Sequence, residues 1–105
     1  MEIENIRQMC KQGKVRYTHH ILLRLLQRNI DTDDVEHVLM HGEIIETYPT
    51  DTPYPSCLVF GADRNEEILH VVCGIAPEEL WLITAYRPDI EEWESDFKTR
   101  KEKKS

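Results

Sequence analysis

The chain has 105 residues, 40% of them hydrophobic and 31% charged, with a formal net charge of -7. That length and mix fit a single globular domain and leave little room for a second. Its apolar runs, such as Ile21-Leu22-Leu23 and the stretch from Leu69 to Cys73, fall far short of the roughly 20 residues a bilayer-spanning helix needs, so no membrane role is expected.

In chain order, Ile3, Ile6 and Met9 or Cys10 recur at helical spacing and Gly13 supplies a stop, which predicts a helix over residues 2–12. Thr18 is placed to cap a second helix over 19–29, with Leu22, Leu25 and Leu26 as its core-facing stripe and Asn29 closing the last turn. Asp31 or Thr32 then caps a third, shorter helix carrying Val35, Val38 and Leu39, with Gly42 at its end.

From Glu43 the period becomes strand-like. Strands are expected at 43–48, 57–60, 68–73 and 80–86, with a proline-rich loop at 49–55 and a hairpin turn at Asp63-Arg64-Asn65-Glu66. The last two strands are apolar on both faces and so read as central. Arg87-Pro88-Asp89 ends the sheet, and Ile90, Trp93 and Phe97 are spaced for a short terminal helix. The expected fold is therefore α+β: N-terminal helices packed on an antiparallel sheet of about four strands, with a short C-terminal helix. Residues 1–97 form the domain and 98–105 a basic flexible tail.

The segment Met1-Glu2-Ile3-Glu4 has neither the basic nor the apolar region of a secretory signal, and a cytoplasmic location is expected. Cys10, Cys57 and Cys73 are odd in number and form no C-x-x-C pair, which points to buried reduced thiols. Charge is unevenly spread. Residues 1–30 carry a net +4, residues 31–97 carry seventeen acids against Arg64 and Arg87 for a net -15, and residues 98–105 carry +4. A polyanion would be attracted to the first third and repelled by much of the remainder.

Four residues apart on the second helix, His20, Arg24 and Arg28 form one stripe, an arrangement of like charges that helix propensity alone would not select. His70 lies inside the apolar run Leu69-His70-Val71-Val72-Cys73, where a histidine must find a hydrogen bond or a chemical role. In the last strand Thr84 and Tyr86 share one face, Ile83 and Ala85 share the other, and Arg87 follows. If the second helix lies along the sheet edge, these groups converge. Such a set suits metal-independent RNA cleavage: a histidine takes the 2′-hydroxyl proton, an acid protonates the leaving 5′-oxygen, and arginine forks grip the phosphate.

The candidate catalytic residues are therefore His20, Arg24, His70 and Tyr86, and the candidate substrate-binding residues are Arg28, Thr84 and Arg87. No cofactor is expected. Asp33, His37 and His41 stand at metal-ligand spacing, but without an H-E-x-x-H motif or a third histidine they read as a solvated or capping face, and no metal is expected. Trp81 and Trp93 are large enough to stack nucleobases, but aromatics of that size in so small a domain read as core.

The stretch from Tyr17 to Ile30, with its Y-T-x-H, x3, R, x3, R-x-I order, resembles the signature of a small prokaryotic family, domain of unknown function 4258. Matches continue at Gly42 to Glu46, Tyr48-Pro49, Pro55-Ser56, Leu69 to Val72, and Ile83 to Tyr86 with Pro88 and Trp93. The element order is similar to that of the RelE/ParE-like toxins. That resemblance implies a toxin of a toxin–antitoxin pair, an mRNA-cutting endoribonuclease that takes RNA as substrate and a small cognate antitoxin protein as partner. Such ribonucleases are usually strongly basic, and this chain is acidic. The competing expectation is a non-catalytic interaction module whose acidic block binds a basic protein, with His20 and Arg24 only knitting helix to sheet.

Overall fold

The computed structural model describes residues 1–102. The elements run α1 (Ile3–Lys11), β1 (Val15–Arg16), α2 (His19–Gln27), α3 (Thr32–His41), β2 (Glu43–Tyr48), β3 (Ser56–Ala62), β4 (Ile68–Ile75) and β5 (Leu80–Tyr86). The α+β class stands, with three helices and a five-stranded mixed sheet in the order β1-β5-β4-β3-β2. The expected all-antiparallel sheet of about four strands is thereby corrected: β2 to β5 run antiparallel, but β1 adds a parallel edge strand, pairing Val15 with Leu80 and Arg16 with Trp81.

Local chemistry sets the helix ends. Gly13, at φ 72°, lets α1 finish with Gly13 N–H on the Cys10 carbonyl and Lys14 N–H on that of Met9. α2 ends the same way around Asn29 at φ 55°, with Asn29 N–H on Leu26 O and Ile30 N–H on Leu25 O. Thr18 Oγ1 accepts from Ile21 N–H at 3.1 Å, and Asp31 Oδ1 accepts from Asp33 N–H at 2.7 Å, so both anticipated caps form.

One sheet face packs on the helices. Ile6, Ile21, Leu25, Val35, Val38 and Leu39 bury against Cys57, Val59, Leu69, Val71, Cys73 and Leu82. The α2 stripe differs from expectation: Ile21 and Leu25 face the core, while Leu22, Leu23 and Leu26 are exposed, Leu26 at 73%. At about 100° per residue, Ile21 and Leu25 are about 40° apart and Leu22 and Leu26 fall on the far flank. The three cysteines are buried and free.

Across the opposite sheet face run residues 89–102, which reach His70 on β4 and Glu43 and Glu46 on β2 and form no helix. Ile90, Trp93 and Phe97 are spaced for one, but Asp89 Oδ1 accepts from Glu91 N–H at 2.9 Å, and Asp96 Oδ1 accepts from the N–H groups of Lys98 and Thr99 at 2.9 and 3.0 Å. These side-chain turns compete with the helical ladder, and the chain runs instead as a strap closed by a bridge between Trp93 and Arg100. Trp93, 1% exposed, is its anchor. Lys98 pairs with Glu43 at 2.7 Å, Arg100 with Glu46 at 2.8 Å, and Lys101 N–H donates to the Glu92 carbonyl, so the expected tail is docked as far as Lys101, and residues 103–105 lie outside the described residues. No helix among the described residues is long and apolar enough to cross a membrane.

Candidate functional site

The segment 17–30 enters α2 from the sheet edge, and most of its polar side chains have structural partners. Tyr17 is half-buried and donates to Glu36 Oε2 at 2.8 Å, tying the start of α2 to α3. Burial together with that carboxylate pushes the Tyr17 phenol well above its ordinary range. Thr18 is the cap. At the far end, Arg28 Nη1 donates to Thr84 Oγ1 at 3.1 Å and to the Ala85 carbonyl at 2.9 Å, which pins α2 against β5. His20 and Arg24, between these ties, are exposed and have no hydrogen-bond or ion-pair partner among the described residues. They sit on one flank of α2, about 60° to 100° from Ile21, on the stripe that Arg28 ends.

His70 and Tyr86 are also brought together, but inside the protein. They are directly paired across β4 and β5, and His70 Nδ1 lies 3.3 Å from the Tyr86 hydroxyl. His70 Nε2 lies 2.7 Å from the Phe97 carbonyl, an acceptor, so Nε2 carries the proton and Nδ1 accepts from the phenol. The ring is fully buried, with Trp93 edge-on at 4.5 Å between centroids. Burial lowers the His70 pKa, against the Phe97 carbonyl, which raises it. With both nitrogens engaged and no exposed atom, His70 does not converge with His20 and Arg24 on a common phosphate, and in this geometry it is a satisfied core histidine.

Arg87 is exposed but lies along the β3–β4 turn with partners of its own. Its Nη2 meets Asp63 Oδ2 at 2.8 Å and its Nη1 donates to the Ile68 carbonyl at 3.2 Å, so its fork is occupied. Asp63 is the centre of the β3–β4 turn, accepting from Asn65 and Glu67 N–H at 2.7 and 3.0 Å. Burial raises its pKa, but those amides and Arg87 more than offset this and hold the carboxyl below the usual range. On α3, the His37 and His41 rings stack at 4.6 Å, His37 Nδ1 lies 3.1 Å from the Ala62 carbonyl, and Asp33 turns to Arg64 at 3.8 Å. Among the described residues no set of three or more metal-ligating side chains forms.

One feature of β5 escapes simple alternation. The β4–β5 register jumps between Val72↔Thr84 and Cys73↔Leu82, leaving Ile83 as an extra residue. The bulge carries Ile83 over Gly74 beside Trp81, rather than onto the Ala85 face. Trp81, which read as core, is half-buried and lines a groove of about 720 Å³ between β5 and the proline-rich loop, together with Thr18, Pro53, Tyr54 and Ile83. The sequence signal for this groove is weak: an aromatic at an outward strand position opposite a loop with its own exposed tyrosine.

No curated protein and no solved structure matches the chain. Residues 17–87, from the start of the α2 motif through Arg87, match a single family throughout, and the chain belongs to the family described as domain of unknown function (DUF4258).

Proposed function

We propose that this protein is the toxin of a toxin–antitoxin pair, a cytoplasmic endoribonuclease that cuts RNA without a metal and meets its substrate with α2. The observation that carries this reading is the contrast within residues 17–30: Tyr17, Thr18 and Arg28 have structural partners, whereas His20 and Arg24 are exposed side by side with none among the described residues. An imidazole exchanges protons near neutral pH, and a free guanidinium fork matches two phosphate oxygens. His20 takes the 2′-hydroxyl proton, the P–O2′ bond forms as P–O5′ breaks, and the leaving 5′-oxygen takes its proton from water. The products are a 2′,3′-cyclic phosphate and a 5′-hydroxyl end. Arg24 holds the phosphate as charge builds on it. Arg28 with Thr84 positions the helix, and His70 with Tyr86 holds the sheet beneath it. The order of helices before an antiparallel meander is similar to that of RelE/ParE-like toxins, an analogy at the level of fold.

The second reading, an interaction module, draws on exposed Leu22, Leu23 and Leu26 on the same helix. Both are decided by one experiment. Induced expression of the wild type is expected to arrest growth, and purified protein to cut RNA in the presence of EDTA, leaving cyclic-phosphate ends. His20→Ala and Arg24→Ala are expected to lose both effects by about 100-fold or more while folding normally. If the folded variants cut and arrest like wild type, α2 is not the catalytic face. If wild type cuts nothing, the interaction module takes its place.

A further inference from the structure

The groove beside α2 is walled largely by aromatic and apolar side chains. Trp81 and Tyr54 present aromatic rings, Pro53 and the bulged Ile83 add apolar wall, and Gly74 leaves the floor bare. A Cβ at Gly74 would meet Ile83 Cδ1 at 3.6 Å and Trp81 Cβ at 3.9 Å, ordinary contacts, so the floor has room for a side chain that this sequence does not supply. At about 720 Å³, the groove matches sites that hold small organic ligands among apolar walls with a few polar groups. Its polar lining is Thr18, Thr50, Thr52 and Asp51, and Asp51, the charged one, accepts from Ser56 through Oδ2.

The surroundings select among possible occupants. Thr18, on the groove wall, caps the helix that carries His20 and Arg24, and the other end of the same stripe, Arg28, bonds Thr84, the residue after groove-lining Ile83. The helix that carries the cationic row therefore starts at the groove wall and ends on β5 one residue beyond it, while the row itself lies outside the groove lining. Flat aromatic walls next to guanidinium groups free of carboxylate partners suit a stacked base with its phosphate on the adjoining row. A peptide would use the apolar walls and leave the cations unanswered.

We infer that the groove between β5 and residues 50–54 is a nucleobase subsite, stacking one base of single-stranded RNA on Trp81 while the adjoining phosphate rests on Arg24. This rests on the reading of α2 as the RNA-facing element. The base enters by stacking and no covalent step is involved.

The test compares two labelled probes by fluorescence anisotropy on the full chain: an eight-nucleotide single-stranded 2′-O-methyl RNA, which lacks the attacking 2′-hydroxyl and so stays intact, and an abasic 2′-O-methyl ribose-phosphate oligomer of the same length and charge. Wild type is expected to bind the RNA about fivefold or more tighter than the abasic oligomer, because one base–aromatic stack is worth at least about that factor. Gly74→Val, which fills the floor, and Trp81→Leu, which removes the stacking surface, are expected to erase that preference while leaving abasic binding within about twofold. Arg24→Ala is expected to weaken both probes alike. Thermal melting shows whether each variant is folded, and Gly74→Val and Trp81→Leu fail independently. Equal binding of the two probes by wild type, or a preference that survives both groove variants, overturns the base subsite while leaving α2 as a phosphate-binding face. Absence of RNA binding by wild type overturns α2 as the RNA face as well. A groove that then shows protection from hydrogen exchange only with a proline- and leucine-rich peptide belongs to a protein partner.

Discussion

A histidine inside a sheet, bonded at both nitrogens, is held neutral, and His70 shows what that costs in acid. The charged groups nearest it, Glu46 and Arg100, pull in opposite directions, and burial leads to a pKa below the ordinary one. The unfolded chain, at about 6.5, therefore takes up the proton first as pH falls. The stabilising contribution is complete above about 6.5 and is lost as pH drops toward the folded value. The urea midpoint of wild type is expected to fall between pH 7 and 5, and His70→Gln, which keeps a donor for Phe97 but cannot titrate there, is expected to flatten that decline. Asp34 and Asp63 do not confuse the window: Arg64 beside the first, and the turn amides with Arg87 beside the second, lower their pKa values, so their contributions fade only as pH falls below about 4. Asp63 is itself buried at the base of the exposed β3–β4 turn, where its carboxylate satisfies two amides and a guanidinium. Asp63→Ala is expected to cost about 1–3 kcal/mol in urea denaturation, most of it from the turn amides left without their acceptor, since the exposed Arg87 guanidinium can turn to water.

Among the elements, the ones that declared themselves in the sequence are those whose limits are set by local chemistry. α1 and α2 end at Gly13 and Asn29 because the chain must turn left-handed there, and Thr18 and Asp31 cap because their oxygens reach the next turn. What was hidden depends on distant partners. β1 is two residues long, too short for any periodicity, and exists because Leu80 N–H reaches the Lys14 carbonyl at 2.9 Å. The strap was misread as a helix because Ile90, Trp93 and Phe97 keep helical spacing, while Asp89 and Asp96 bond their own neighbours and Phe97 adopts φ 56°. The α3–β2 junction shows how tightly the elements meet. A Cβ on Gly42 would lie 2.4 Å from the Phe60 carbonyl and 2.6 Å from that of Val38, both backbone atoms with no side-chain freedom to yield. Gly42→Ala is accordingly expected to destabilise by about 2–3 kcal/mol, read from the urea midpoint at unchanged m-value.

Across the whole molecule, the net charge of -7 conceals a division between cations that are used up and cations that are free. Arg7, Arg16, Arg64, Arg87, Lys98 and Arg100 all sit on carboxylates, so much of the acidic block is answered internally. Of the candidate site, the sequence made the α2 stripe legible because i, i+4 spacing is a local property. It did not separate Arg24 from Arg87, because which arginine finds a buried aspartate is decided by the β3–β4 turn. That separation is measurable. A cation that contacts RNA phosphate releases condensed counterions, and each such contact steepens the fall of log Kobs with log salt by about 0.7 for a single strand. Arg24→Ala is expected to weaken RNA binding and to make that slope shallower by about 0.7 to 1. Arg87→Gln is expected to leave the slope unchanged and to lower thermal stability, since its charge is spent on Asp63 and carbonyls at the turn. A slope that shifts equally in both variants would mean that Arg87 leaves Asp63 to reach the phosphate, and the acidic turn would then be part of the RNA surface.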